Sequence, residues 1–496
     1  MRTSKKNGSA MRTGLMATAA ASLALSGCSM GGPIASTGTP LTETERKQGE
    51  QAHPQLVAEF GGAETGARAQ YVETVARNVA VHSGLSSAPG DFTVTLLNSS
   101  VNNAFAVPGG FVYVTRQLVG LMNNEAELAA VLGHEVGHVA ARHSAKRQAK
   151  AQQNALLGVL GQVLSGVVFG DSALGKLGQE VSSTVPQLAT LRYSRNQELQ
   201  ADDLGINYLK GAGYDPKSMA TLLASLAAQN SLDAQLQGRD ARMPEWASTH
   251  PDPASRVQTA LGKAAGATGR LDRAKFLREV DGIMYGDDPK QGVIEGRTFM
   301  HPGMRIAFDA PAGFFMVNGT RAVSINGQSG KGQLSSGPYS GNLETYVRNV
   351  FNALAGEGKT LAPSTLNKTS VNGVPAAVGQ VRVNSGNGQV DATVYAYELS
   401  GNQAVHFVTI TAAGQGKVFN GMYNSFKRIS ASEAAAIKPR RIDVVTVGSG
   451  DSVGSLARRM AYGDSQEARF RVLNGLSAGE EVQRGQQVKI VVKTAS

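Results

Sequence analysis

His134-Glu135-Val136-Gly137-His138 sets two imidazoles four residues apart, with a carboxylate beside the first. On a helix such residues lie one turn apart, about 6 Å along the axis, so both rings can meet one metal ion. Two histidines at this spacing suit zinc, and Glu135 stands where it can act as general base toward a water. Three of the chain's eight histidines, His134, His138 and His143, fall within ten residues. A catalytic zinc needs a third protein ligand. Sixty residues further on, Glu198 and Asp202 stand i,i+4 in a second helical stretch that runs to about Gly211. One carboxylate can ligate and the other can orient a ligand histidine, with Ala201 small enough to let the two helices approach. For Glu198 taken alone, a solvated helix face is the alternative reading.

The elements that must carry these residues are legible. Residues 125–143 lack proline and place Leu128, Val131, Leu132, Val136 and Val139 on one stripe, which predicts a helix. Phe111 to Thr115 alternates and is rich in β-formers, and Asn103 to Val107 precedes it across Pro108-Gly109-Gly110.

The combination resembles the HtpX-like and CAAX-protease-like zinc peptidases, metallopeptidase family 48, whose pattern is H-E-x-x-H followed by a distant E-x-x-A-D. Here these are His134, Glu135, His138, then Glu198, Ala201 and Asp202. The resemblance covers roughly residues 45–275. It includes residues 103–115 (NAFAVPGGFVYVT), His143, and Thr249-His250-Pro251-Asp252-Pro253-Ala254-Ser255-Arg256. It implies one zinc per chain, held by His134, His138 and Glu198, with Glu135 catalytic and Asp202 behind a ligand. An exposed strand within 103–115 can pair with an extended peptide by β-augmentation, which makes Asn103, Ala104, Phe105 and Ala106 the candidate substrate strand. His250 and Arg256 are candidates to stabilise the oxyanion. His250 can instead occupy the open position and hold the enzyme latent. For Arg256 a helix-start salt bridge is an equal alternative. His143 reads as structural, and His53, His82, His301 and His406 read as ordinary core or surface residues.

Residues 1–13 carry Arg2, Lys5, Lys6 and Arg12 and no acid, and residues 14–26 form a short apolar run. This is the pattern of a secretory leader, too short for a comfortable membrane span. Leu25-Ser26-Gly27-Cys28 resembles a bacterial lipobox, which accounts for the single cysteine as a lipidation site. Ser29 after Cys28, by the same resemblance, implies the periplasmic face of the outer membrane. The net charge of +10 includes the four leader cations, and no basic block with interleaved aromatics occurs, so nucleic acid is not an expected partner. No Gly-X-Y period accompanies the 59 glycines, which excludes collagen. Residues 155–169 are apolar but short of a span and read as a buried helix hairpin, a helical flap near the cleft or an amphipathic patch resting on lipid, and 175–186 as a loose connection.

Beyond residue 275 the period changes to about two, at Ala322–Ile325, Gly379–Val383, Thr393–Glu398 and Ala404–Ile410. Leu343–Leu354 and Lys417–Ile429 read as helices. This predicts an antiparallel sheet with helices on one face. Asp287-Asp288 reads as a turn rather than a cation site. From Asp443 the chain resembles a LysM module, which implies affinity for peptidoglycan.

The expected architecture is therefore α+β and multidomain. It comprises a leader (1–27), a tether (28–45), a mainly helical zincin-type peptidase domain (46–275), an antiparallel α+β domain (276–437) and a small βααβ LysM-like domain (440–496). The expected function is a lipid-anchored periplasmic zinc endopeptidase acting on misfolded or misassembled envelope proteins, on the inner leaflet of the outer membrane. The rivals are a chaperone-like assembly factor with a latent zinc site and a wall-binding scaffold.

Overall fold

The computed structural model describes residues 39–146, 193–236, 250–355, 360–385 and 388–494. The leader, Cys28, and the stretches 155–169 and 175–186 lie outside the described residues. Among the described residues, no helix is long and apolar enough to cross a membrane.

Helix α1 (Glu43–Glu59) starts inside the expected tether because Thr42 and Glu45 form a reciprocal capping box. After α2 (Ala67–Ala80) come β1 (Thr93–Leu97), β2 (Ala104–Val107) and β3 (Phe111–Thr115), in the order β1-β3-β2. Strand β3 pairs parallel with β1 and antiparallel with β2, with Ala104 opposite Val114. Within 103–115, β2 stands at the edge of the sheet and β3 does not. Strand β3 is central and buried throughout, and the edge strand β2 has buried side chains as well. Phe105 stacks on Tyr113 in a small core that includes Leu56 and Phe60, whereas Ala104 and Ala106 belong to the main core shared with α4.

Helix α3 (Arg116–Leu121) leads into α4 (Glu125–Ala140), whose N-cap Asn124 accepts from the Glu127 N–H at 2.9 Å. Ser194 and Gln197 form a capping box that starts α5 (Arg195–Gly211). Helices α6 (Ser218–Leu236), α7 (Pro253–Ala264) and α8 (Arg273–Val280) complete the helical part. Small residues set the approach of α4 to α5. A Cβ on Gly137 would lie 3.0 Å from the Ala201 carbonyl oxygen, and one on Gly205 would lie 3.1 Å from the His134 nitrogen. Gly137→Ala is therefore expected to force the helices apart at a cost of about 1–3 kcal/mol. A thermal melt with metal titration checks it: both the midpoint and the metal affinity should fall.

The middle region contains strands β4 (Val293–Glu295), β5 (Thr298–His301), β6 (Ile306–Asp309), β7 (Phe315–Asn318), β8 (Ala322–Gly327), β9 (Gly330–Ser336), β10 (Thr365–Val371), β11 (Val374–Ser385), β12 (Gly388–Ser400), β13 (Gln403–Ala412) and β14 (Lys427–Arg428). They form a seven-stranded antiparallel sheet, ordered β10-β11-β12-β13-β9-β8-β7, and a four-stranded sheet, ordered β14-β6-β5-β4. The strands expected from alternation fall within β8 (Ala322–Gly327), β11 (Val374–Ser385), β12 (Gly388–Ser400) and β13 (Gln403–Ala412). Helices cover both faces, not one. Helix α9 (Leu343–Ala355) packs on Ala392, Val394 and Ala396, while Phe419, Met422, Tyr423 and Phe426 pack on the opposite face against Tyr397 and Phe407. Both faces of β12 are apolar, so alternation could not tell a covered face from an open one. The expected helix over 417–429 shortens to α10 (Asn420–Ser425), followed by β14 (Lys427–Arg428) on β6 (Ile306–Asp309). Asn372 Nδ2 donates to the carbonyls of Asn424 (2.9 Å) and Phe426 (2.8 Å), which ends the helix there. Asp287 and Asp288 are held in a turn, accepting from Ser100 (2.9 Å) and Asn98 (3.0 Å) respectively.

The C-terminal region runs strand–helix–helix–strand, with β15 (Arg440–Thr446) antiparallel to β16 (Gln487–Lys493). The other edge of β15 receives the linker 282–285, through Gly282 N–H to Ile442 O (2.8 Å) and Tyr285 N–H to Arg440 O (2.9 Å). Ile442, Leu456, Phe470 and Ile490 share one continuous core with Leu128, Leu132 and Leu223 of the helical part.

Candidate metal centre

Helices α4 and α5 bring His134, His138 and Glu198 together, and the segment entering α7 adds His250. One donor atom from each of the four lies within 4.8 Å of the others, and all four residues are buried. The ring nitrogens show why these groups converge. His134 Nδ1 lies 2.9 Å from Asp202 Oδ1, an acceptor, so it carries the proton. His138 Nδ1 lies 2.8 Å from His143 Nδ1, and His143 Nε2 lies 3.0 Å from Gln200 Oε1. Taking Gln200 Oε1 as the acceptor puts the His143 proton on Nε2 and the His138 proton on Nδ1. Both Nε2 lone pairs then face each other at 3.0 Å, which needs a proton or a cation between them. His250 Nδ1 lies 3.3 Å from His134 Nε2, and the Glu198 oxygens lie 3.4 Å from His138 Nε2 and 3.6 Å from His134 Nε2. Two donors on one tetrahedral zinc stand about 3.3 Å apart, so these separations and the N,N,O donor set fit that ion.

The carboxylates divide their work. Burial alone would raise the pKa of Glu198, but the His250 charge and the His138 hydrogen bond hold it well below its ordinary value. Asp202 is likewise lowered against its burial, by Arg256 and His134. Arg256 is buried and donates Nη1 to Glu198 Oε2 (2.5 Å), Nε to Asp202 Oδ2 (2.7 Å) and Nη2 to Asp202 Oδ1 (2.5 Å). The oxyanion role expected for Arg256 gives way to this fork, because two carboxylates buried one turn apart demand a counter-cation. Glu135 differs from both. Its two oxygens are buried with no hydrogen-bond partner among the described residues, and burial raises its pKa. His250 Nε2 lies 3.5 Å from Glu135 Oε1, and the charges of Glu198 and Glu135 raise the His250 pKa against its burial.

Two further side chains close on His138. His143 returns to His138 because Arg142 takes a left-handed turn (φ 51°) just past α4. Tyr193 stacks on His138 at a centroid distance of 3.8 Å. The H-V-A-A-R-H spacing is the signal for the first; the second opens the segment that carries Glu198 and Asp202, which makes it a minor candidate for an oxyanion donor from sequence. Asn103, at the start of β2, is buried with both carboxamide atoms unpartnered among the described residues. His53, His301 and His406 have ordinary partners in Tyr113, the Met304 N–H and Tyr346.

An H-E-x-x-H helix crossed by a helix that brings a buried glutamate to the two histidines is the arrangement of a metallopeptidase. Residues 66–264 match Peptidase family M48, and the chain carries a metallopeptidase domain of that family. Over 198 residues it is 32% identical to the beta-barrel assembly-enhancing protease of Yersinia pestis and 30% identical to that of Escherichia coli (strain K12). Each of these matches covers 39% of this chain and 38% of the relative. The mitochondrial metalloendopeptidase OMA1 of Schizosaccharomyces pombe is 28% identical over 218 residues, covering 43% of this chain and 59% of that protein. The chain therefore matches less than two fifths of the length of the first two relatives.

Proposed function

We propose that the chain is a zinc-dependent endopeptidase, anchored in the bacterial envelope through Cys28, that hydrolyses peptide bonds of misfolded or misassembled envelope proteins. The observation that carries the peptidase reading is the unpartnered, buried Glu135 beside the converging nitrogens of His134 and His138. His134, His138 and Glu198 hold the single zinc. When bound, the ion supplies Lewis-acid activation of a water and of the scissile carbonyl. Glu135, with its raised affinity for a proton, takes one from the attacking water and returns it to the leaving amine. Asp202 and His143 fix the tautomers of the two histidines. Asn103 to Ala106, at the sheet edge, offer a backbone for an extended substrate.

The envelope assignment is supported by the leader and lipobox-like segment, and by similarity to proteases named for β-barrel assembly. An unpaired barrel strand is a natural ligand for an edge strand. The LysM-like reading of residues 440–496 adds peptidoglycan as a partner.

His250 favours a latent resting state over an oxyanion role. Its Nδ1 lies 3.1 Å from Glu198 Oε1 and 3.3 Å from His134 Nε2, where a fourth ligand would stand. His250→Ala is expected to keep its metal and to cleave casein several-fold faster. A loss of about 10²-fold or more would instead assign His250 to the oxyanion.

A further inference from the structure

The junction ahead of the H-E-x-x-H helix is held by a residue from the far end of the chain. Helix α3 ends at Leu121, and the last carbonyls of a helix have no partner within it. Lys489, on β16, is fully buried, and its Nζ donates to the carbonyls of Gly120 (2.9 Å), Leu121 (3.1 Å) and Met122 (2.5 Å). The strand is fixed at that point: the Lys489 N–H donates to Asn474 Oδ1 (2.7 Å), and Asn474 Nδ2 donates to the Lys489 carbonyl (2.9 Å). Beside the lysine, Glu127 is buried and accepts from the Asn123 N–H (2.8 Å) and Thr221 Oγ1 (2.7 Å). Arg273 ties the same turn to the same strand, donating to the carbonyls of Asn123 (2.7 Å) and Gln487 (3.1 Å). Glu127 lies in the first turn of α4, two turns before His134.

We propose that Lys489 is a positioning residue for the H-E-x-x-H helix, and that residues 440–493 brace the peptidase domain rather than forming a detachable module. Without the lysine, the carbonyls of Gly120, Leu121 and Met122 lose a buried donor together. The cost falls on the turn that sets the start and direction of α4. The rest of the segment agrees, since its apolar residues share the core of the helical part and the linker 282–285 pairs with β15. Any wall contact made by this segment would hold the peptidase domain rigidly instead of through a flexible stalk.

Two measurements on the full chain test this. In the first, a specific protease site is placed in the exposed stretch at 431–436 and the chain is nicked there. The two pieces should co-elute at physiological salt with the melting midpoint preserved. Separation of the C-terminal piece from a remainder with an unchanged midpoint would overturn the proposal. The second compares Lys489→Met with Leu456→Ala, a cavity in the same segment that leaves the lysine contacts in place. Zinc release to a chelator, well below either midpoint, should be about 10-fold faster in Lys489→Met and within about twofold of the parent in Leu456→Ala. Equal release from the two variants would overturn the positioning role. The release measurement rests on the zinc centre proposed above; the nicking measurement does not, so the two readings fail separately. If Lys489→Met does not fold, the nicked parent decides.

Discussion

Glu135→Gln is expected to lower casein cleavage about 10³–10⁴-fold while leaving the metal content at one per chain. The carboxylate is buried with no hydrogen-bond partner among the described residues, and burial raises its pKa, which are the properties expected of a general base. The glutamine keeps the volume and removes the proton acceptor. Its carboxamide also carries no charge, so the burial that raises the Glu135 pKa ceases to matter. The melting midpoint should change little, because the cost of burying the carboxylate is removed while its 3.5 Å charge contact with His250 Nε2 is lost. A variant that lost both metal and activity would place Glu135 among the residues that build the centre. Zinc analysis, a thermal melt and an initial-rate assay on one preparation separate these outcomes.

Arg256→Ala is expected to be the most destabilising single change at the site. The guanidinium neutralises Glu198 and Asp202 from inside, with both its partners and itself buried. Removing one member of a buried ion network costs about 3–5 kcal/mol, because the remaining charges stay buried. The two carboxylates would respond by taking up protons, so Glu198 would become a poorer ligand and Asp202 would no longer fix the His134 tautomer. Metal affinity should fall together with stability. Arg256→Lys restores one charge but not the two-carboxylate fork, and should recover only part of either. If Arg256→Ala instead kept its metal and its midpoint and lost only turnover, the oxyanion role would be reinstated. Metal titration by competition with a chromophoric chelator, run beside a melt, makes the distinction.

The sequence made the centre legible where spacing along one helix is the whole signal. His134 and His138 share a face because they are i,i+4 in a proline-free apolar stretch, and Glu198 and Asp202 share one for the same reason. What spacing does not show is which way a face turns. The inward turn of α5 makes Arg256 a structural counter-ion, and that follows only once both carboxylates are seen to be buried. Strand positions in the middle region were readable from period two, but β12 is apolar on both faces, so the second helical cover was not. Lys489 was the hardest to read. In Val488-Lys489-Ile490 the alternation places the lysine on a solvent face, as it would be in a two-stranded unit standing alone. It is buried because that face of β16 meets the end of α3, a contact between segments more than 350 residues apart.

The central claim is a single zinc held by His134, His138 and Glu198, and the most direct test is metal content. Zinc should be measured on the purified chain from Ser29, on Glu198→Ala, and on the parent after chelation and readdition, with casein cleavage followed in parallel. The expected result is about one zinc per chain in the parent, less than about a tenth in Glu198→Ala, and cleavage that is lost on chelation and returns with zinc. Cleavage that survives complete removal of metal, or full zinc occupancy in Glu198→Ala, would contradict it.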